Sequence, residues 1–115
     1  MNGNELTFYW RLRDALPNHI VLAQVPLAAF IRLTTPKATS YFNQFDRLRA
    51  DFIICDSGAR VLAVIEIDGK SHDSLKQQKR DAIKAAVLRD AGIKLHRLNS
   101  RQLPETTSIK GLLAL

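Results

Sequence analysis

Val61-Leu-Ala-Val-Ile-Glu-Ile-Asp68, running on into Gly69-Lys-Ser-His72, is the stretch on which the fold turns. Apart from Glu66 and Asp68 it is aliphatic, the pattern of a strand buried in a sheet core. Strand alternation puts Glu66 and Asp68 on one face, so their charges add. A buried carboxylate is costly unless a cation, a metal or hydrogen bonds compensate it.

One strand earlier, Ala50-Asp-Phe-Ile-Ile-Cys55 is also apolar and also carries an acid, Asp51. The Asp56-Ser-Gly-Ala-Arg60 turn joins the two runs. A tight hairpin would set Asp51 opposite Glu66, where like charges repel; a slip of one residue would separate them, and the sequence does not fix the turn. The opposed register asks for a cation, and Asp51, Glu66 and Asp68 are the expected ligands of a divalent metal. Carboxylate oxygens suit a hard ion, Mg²⁺ or Mn²⁺. His72, four residues after Asp68, has the chemistry to bind metal or to transfer a proton.

Further out, a first helix capped at Asn4 or Thr7 is expected to run to about Leu16. Leu6, Trp10 and Leu12 or Arg13 form its apolar face. His19 to Val25 reads as a strand and 34–39 as a loop. A short helix is expected from Ser40 to Arg49. Asp73 or Ser74 caps a long helix to about Ala91, with Ala82, Ile83, Ala86 and Val87 inward and Gly92 as its C-terminal cap. Ile93 to Leu98 is a fourth strand, and Leu103 to Leu115 a closing helix. This order predicts an α/β fold, a mixed four-stranded sheet with helices on both faces, formed as a single domain over residues 1–115.

The chain holds 17 Lys and Arg against 11 Asp and Glu, a formal charge of +6 and a pI near 9.9. That balance favours polyanionic partners, nucleic acid first. No apolar run approaches the roughly 20 residues that span a bilayer, so no membrane partner is expected. The N-terminus lacks the basic and apolar regions of a signal peptide. The single cysteine, Cys55, sits in an apolar strand and reads as a core residue; a reducing cytoplasm is the expected compartment. Lys76, Lys79 or Arg80, and Lys84 recur at helical spacing and are expected to form one basic stripe.

Asp51, Glu66-Ile-Asp68-Gly-Lys-Ser-His72, Arg80-Asp81-x-x-Lys84 and Leu88-x-x-x-Gly92-Ile-x-Leu-x-Arg97 together resemble the PD-(D/E)XK restriction-endonuclease-like superfamily, in the branch of very-short-patch-repair endonucleases. Within it the chain resembles the bacterial domain of unknown function 2726 family. The resemblance implies a restriction-endonuclease-like three-layer core and a Mg²⁺-dependent or Mn²⁺-dependent nuclease acting on DNA rather than RNA. By resemblance Asp51 is the first metal acid, Glu66 the second, and Glu5 an auxiliary helical acid. The position two beyond Glu66, usually Lys in the superfamily, is Asp68 here. Lys84 is then the candidate for the displaced catalytic amine, with Lys70 the local alternative. Asp51, Glu66, Asp68, His72 and Lys84 form the expected catalytic set, and Lys70, Lys76, Lys79 and Arg80 the nucleic-acid contacts.

Each residue also has a plainer role open to it. Asp51 could pair with Arg49 or Arg47, Asp81 could serve an ion pair, and Asp56 could hold the turn. Tyr9 and Trp10 read as core, and His19 and His96 as structural. Two other functions compete: a degenerate nuclease fold that binds nucleic acid without cutting it, and a protein-interaction module of a defence or mobile-element system. A homodimer or a place in a larger nuclease assembly fits the first reading. If the acids stand at a metal site, Glu66→Gln should leave the metal-free protein neutral or more stable, because it relieves repulsion.

Overall fold

The computed structural model describes residues 1–32, 45–69 and 74–115. The expected 34–39 loop, most of the expected 40–49 helix, and Lys70, His72 and Asp73 lie outside them. The elements are α1 (Gly3–Ala15), β1 (Ile20–Pro26), a 3₁₀ turn (Leu27–Ala29), β2 (Arg49–Cys55), β3 (Val61–Asp68), α2 (Leu75–Asp90), β4 (Lys94–Asn99) and α3 (Thr106–Leu113). Arg49, placed in a helix by the sequence reading, opens β2 instead.

The sheet runs in the order β1-β2-β3-β4. The first three strands form an antiparallel meander, and β4 lies parallel to β3 after the crossover through α2. A parallel neighbour needs such a crossover, and the helix covers one face as it returns. β3 is therefore central, and Ala63, Val64 and Ile65 are 0–1% exposed. One apolar cluster joins Phe8, Leu12 and Leu16 to Phe52, Ile54, Ile65, Ile109 and Leu113. The other joins Val87 and Leu88 of α2 to Ile53, Cys55, Val64 and the 45–50 segment. Phe52 anchors the first cluster, edge-on to Phe8 at 5.8 Å and stacked on Tyr9 at 6.4 Å. Fully burying one such side chain stabilises by roughly 1.5–3 kcal/mol.

α1 is capped by Asn2, two residues before Asn4, the nearer of the two expected caps. Asn2 accepts from the Glu5 N–H, and the Glu5 side chain accepts from the Asn2 N–H, a reciprocal pair that neither Asn4 nor Thr7 provides. Its buried line is Phe8, Leu12 and Leu16, not Leu6 and Trp10. Trp10 is 52% exposed beside Arg13, which corrects its assignment to the core. Ser74 caps α2 through the Gln77 N–H. The helix closes as expected at Gly92, whose φ of 73° few other residues tolerate. There the Ile93 N–H reaches Leu88 O and the Gly92 N–H reaches Arg89 O, satisfying two terminal carbonyls. Ala82 is exposed rather than inward; the sheet-facing side of α2 carries Ile83, Lys84, Val87 and Leu88. No helix among the described residues is long and apolar enough to cross a membrane.

Candidate active site at the splayed end of the sheet

The hairpin register is the expected one: Phe52 pairs with Ile65, Ile53 with Val64 and Ile54 with Ala63, with a bulge at Ile54/Cys55. Asp56 holds the turn, its Oδ1 accepting from the Gly58 and Arg60 N–H groups. At the other end the strands part. β2 follows β1 as far as the Arg49–Pro26 pair, and β3 follows β4 as far as Asp68–Asn99, but β2–β3 pairing stops at Phe52–Ile65.

Two carboxylates replace the missing ladder. Glu66 Oε2 accepts from the Asp51 N–H at 2.8 Å. Asp51 Oδ2 accepts from the Ile67 N–H, also at 2.8 Å. Each acid thus ties its own strand to the main chain of the other. Among the described residues Asp51 makes no ion pair with Arg47 or Arg49, and Arg49 donates to Gln24 O. Gln24, with φ of 55°, interrupts β1 beside Asp51, between the Ala23–Phe52 and Val25–Ala50 pairs.

Lys84 reaches in from α2 and contacts Glu66 Oε1 through its ammonium. Both side chains are buried, 12% and 7% exposed. Burial pushes the Glu66 carboxyl above the ordinary carboxylate value, while Lys84 and the Asp51 N–H pull it down. Burial also raises Asp51, opposed by the Ile67 N–H and helped by the negative charge of Glu5.

Asp68 lies 3.5 Å from Arg97 Nη1, which also stands 3.8 Å from Asp81. Asp81 accepts from Gln77 Nε2 as well, in keeping with its expected ion-pair role. Nothing in the local sequence around Arg97 points to the site. Its register position beside Glu66, on the parallel neighbour of β3, is what brings it to the site.

Lys76, Lys79 and Arg80 are exposed on α2. Lys84 is not part of their stripe, because the helix is rotated to bury Val87 and Leu88 and so turns Lys84 inward. His96 on β4 has a buried Nε2 without a hydrogen-bond partner among the described residues, and burial lowers its pKa. Among the described residues no three His, Cys, Asp or Glu side chains form a group that could hold a metal ion. His72 and Asp73 lie outside those residues.

An uncharacterized protein of Haemophilus influenzae is 30% identical to the chain over 97 residues, 81% of this chain and 50% of the relative. The chain thus spans about half the length of that curated relative. No solved structure matches it. The family described as Protein of unknown function (DUF2726) matches residues 1–114, and the chain belongs to that family.

Proposed function

We propose that the chain is a metal-dependent nuclease-like domain of the restriction-endonuclease-like PD-(D/E)XK superfamily, hydrolysing phosphodiester bonds in DNA. One observation carries the reading: Lys84 of α2 meets Glu66 of β3 beside Asp51, where β2 and β3 part. The superfamily pattern asks for an acid and an amine together, and Asp68 stands where the amine is usual. A lysine delivered from the following helix supplies the missing charge at the same acid.

The donor set fits Mg²⁺ or Mn²⁺. Mg²⁺ keeps several waters and takes one or two protein carboxylates. Asp51 and Glu66 would hold it, each with lone pairs beyond those that bind the main chain. Such an ion polarises a phosphoryl oxygen and lowers the pKa of bound water. Lys84 offsets charge on the phosphate. Arg97 fixes Asp68 at the rim, and Lys76, Lys79 and Arg80 offer an exposed surface to the backbone.

A second reading, nucleic-acid binding without cleavage, is favoured by the engagement of both Glu66 oxygens, one by Lys84 and one by Asp51. Divalent-ion titration separates the two. Under the nuclease reading, millimolar Mn²⁺ raises the melting temperature, since an ion at 100 times its Kd stabilises the native state by about 2.7 kcal/mol. Mn²⁺ also supports cleavage of single-stranded, duplex or mismatched DNA. Oligonucleotide binding with neither a melting shift nor cleavage would establish the second reading instead.

A further inference from the structure

The acids at the sheet end stand between two flanks, and only the α2 flank has been given a role. On the opposite face a groove of about 470 Å³ runs between α1 and the segment after β4. Asn4, Thr7 and Arg11 line one wall, and Ser100, Arg101 and Glu105 the other. A second recess of about 490 Å³ shares Ser100 and Arg101 and adds Asn99 and Gly69. Gly69 directly follows Asp68, and the Ser100 N–H donates to Asp68 O at 3.1 Å. The two recesses adjoin at Ser100 and Arg101, a channel whose second part borders Gly69 at the carboxylate end of β3.

We infer that this channel binds the sugar-phosphate backbone of the nucleic acid on its way to the acids, with Arg101 as the principal phosphate contact. The inference rests on the nucleic-acid reading above and assigns it a second flank. Apart from Leu103 and the Glu105 carboxylate, the walls carry amide, hydroxyl and guanidinium groups, the side chains that contact phosphate and sugar without reading sequence. One leucine is far from the predominantly apolar lining of a small-molecule pocket.

Arg11 is committed to the wall. Its Nη1 donates to Leu103 O and Pro104 O at 3.4 and 3.2 Å, and its Nη2 lies 3.8 Å from Glu105. That pair also offsets the one carboxylate in the groove. Arg101 is different. Its main-chain N–H is held by Asn99 Oδ1 at 2.9 Å, while its exposed side chain has no ion-pair partner among the described residues. A guanidinium held at its base and free at its tip suits bidentate phosphate binding. Charge balance points the same way. Asp51, Glu66 and Asp68 repel a polyanion, so a strand crossing them needs cations on both sides.

The test is anisotropy of labelled single-stranded and duplex oligonucleotides in EDTA over a salt series, with Arg101→Ala, Arg101→Glu, Lys79→Ala and Arg89→Ala. Arg89, in the last turn of α2 at the far end of the sheet, is the control for loss of charge alone. The inference predicts several-fold weaker binding for Arg101→Ala and weaker still for Arg101→Glu. The slope of log K against log salt should fall by about one for the loss of one phosphate contact. Arg89→Ala should match the parent protein, and all variants should melt alike. If the parent binds and Lys79→Ala weakens it while both Arg101 variants behave like Arg89→Ala, the channel assignment fails and the nucleic-acid reading stands. If the parent binds no oligonucleotide at low salt, both fall together.

Discussion

Lys84→Met is expected to lower stability at neutral pH by about 3–5 kcal/mol, the usual cost of breaking a buried ion pair by removing one partner. Methionine keeps the packing of the aliphatic stem, so the loss reports charge rather than volume. Glu66 would be left 7% exposed, held by the Asp51 N–H. Its carboxyl, already raised by burial, would rise further without Lys84. The sign follows from linkage. A carboxyl with a raised native pKa binds protons more tightly in the folded state. Stability therefore increases as pH falls towards the ordinary value of 4.5. The deficit of Lys84→Met should accordingly be largest at neutral pH and shrink on acidification, as read by urea unfolding across that range.

Glu66→Gln should also destabilise, by about 1–3 kcal/mol, because one amide oxygen cannot serve both the Asp51 N–H and Lys84 as two carboxylate oxygens do. This reverses the sign expected from the sequence, which rested on repulsion between Glu66 and its neighbouring acids. With Lys84 against it, the acid is compensated in the folded protein. The double variant should be more stable than Lys84→Met alone, since it no longer buries an unpaired charge. A positive coupling of about 0.5–3 kcal/mol is expected for residues in contact. Additive losses would mean that the two side chains do not pair in solution.

What the sequence disclosed and what it hid follow from the range of the interactions. β3 and its hairpin were legible because an aliphatic run with two acids leaves one sensible face. The sequence does not fix the turn, so a register one residue out was equally open; the pairing of Phe52 with Ile65 is what brings Asp51 to Glu66. The rotation of α2 was not legible. Lys76, Arg80 and Lys84 share a spacing with Gln77, Asp81, Lys84 and Leu88, and only packing of Val87 and Leu88 on β3 decides which line faces the sheet. α1 was misread for a similar reason. Leu6 and Trp10 look like an apolar face, yet Phe8, Leu12 and Leu16 are the ones buried in the core cluster with Phe52 and Ile54 of β2. Arg97 and the Arg101 channel depend on the parallel placement of β4, a long-range fact that no local pattern carries.

Asp51→Asn should separate the two roles that Glu66 combines. Asparagine keeps an oxygen for the Ile67 N–H, so the tie between β2 and β3 survives. Burial is the main reason that the Asp51 pKa is raised, which means the charged form is disfavoured in the fold. In the parent, stability from this group is present below the ordinary value of 3.8 and is lost as pH rises through the raised one. Removing the charge should leave the variant as stable as the parent or more so at neutral pH, with the difference closing as pH falls towards 3.8. Oligonucleotide affinity in EDTA should hold or rise, because one repelling charge is gone. Under the proposed function, Mn²⁺-dependent cleavage should nevertheless fall by about a hundredfold or more, the scale on which loss of one preorganised electrostatic group is felt. The Mn²⁺-induced melting shift should shrink with it. Full cleavage by a stable Asp51→Asn protein would remove Asp51 from the chemistry and leave it as the clasp between two strands.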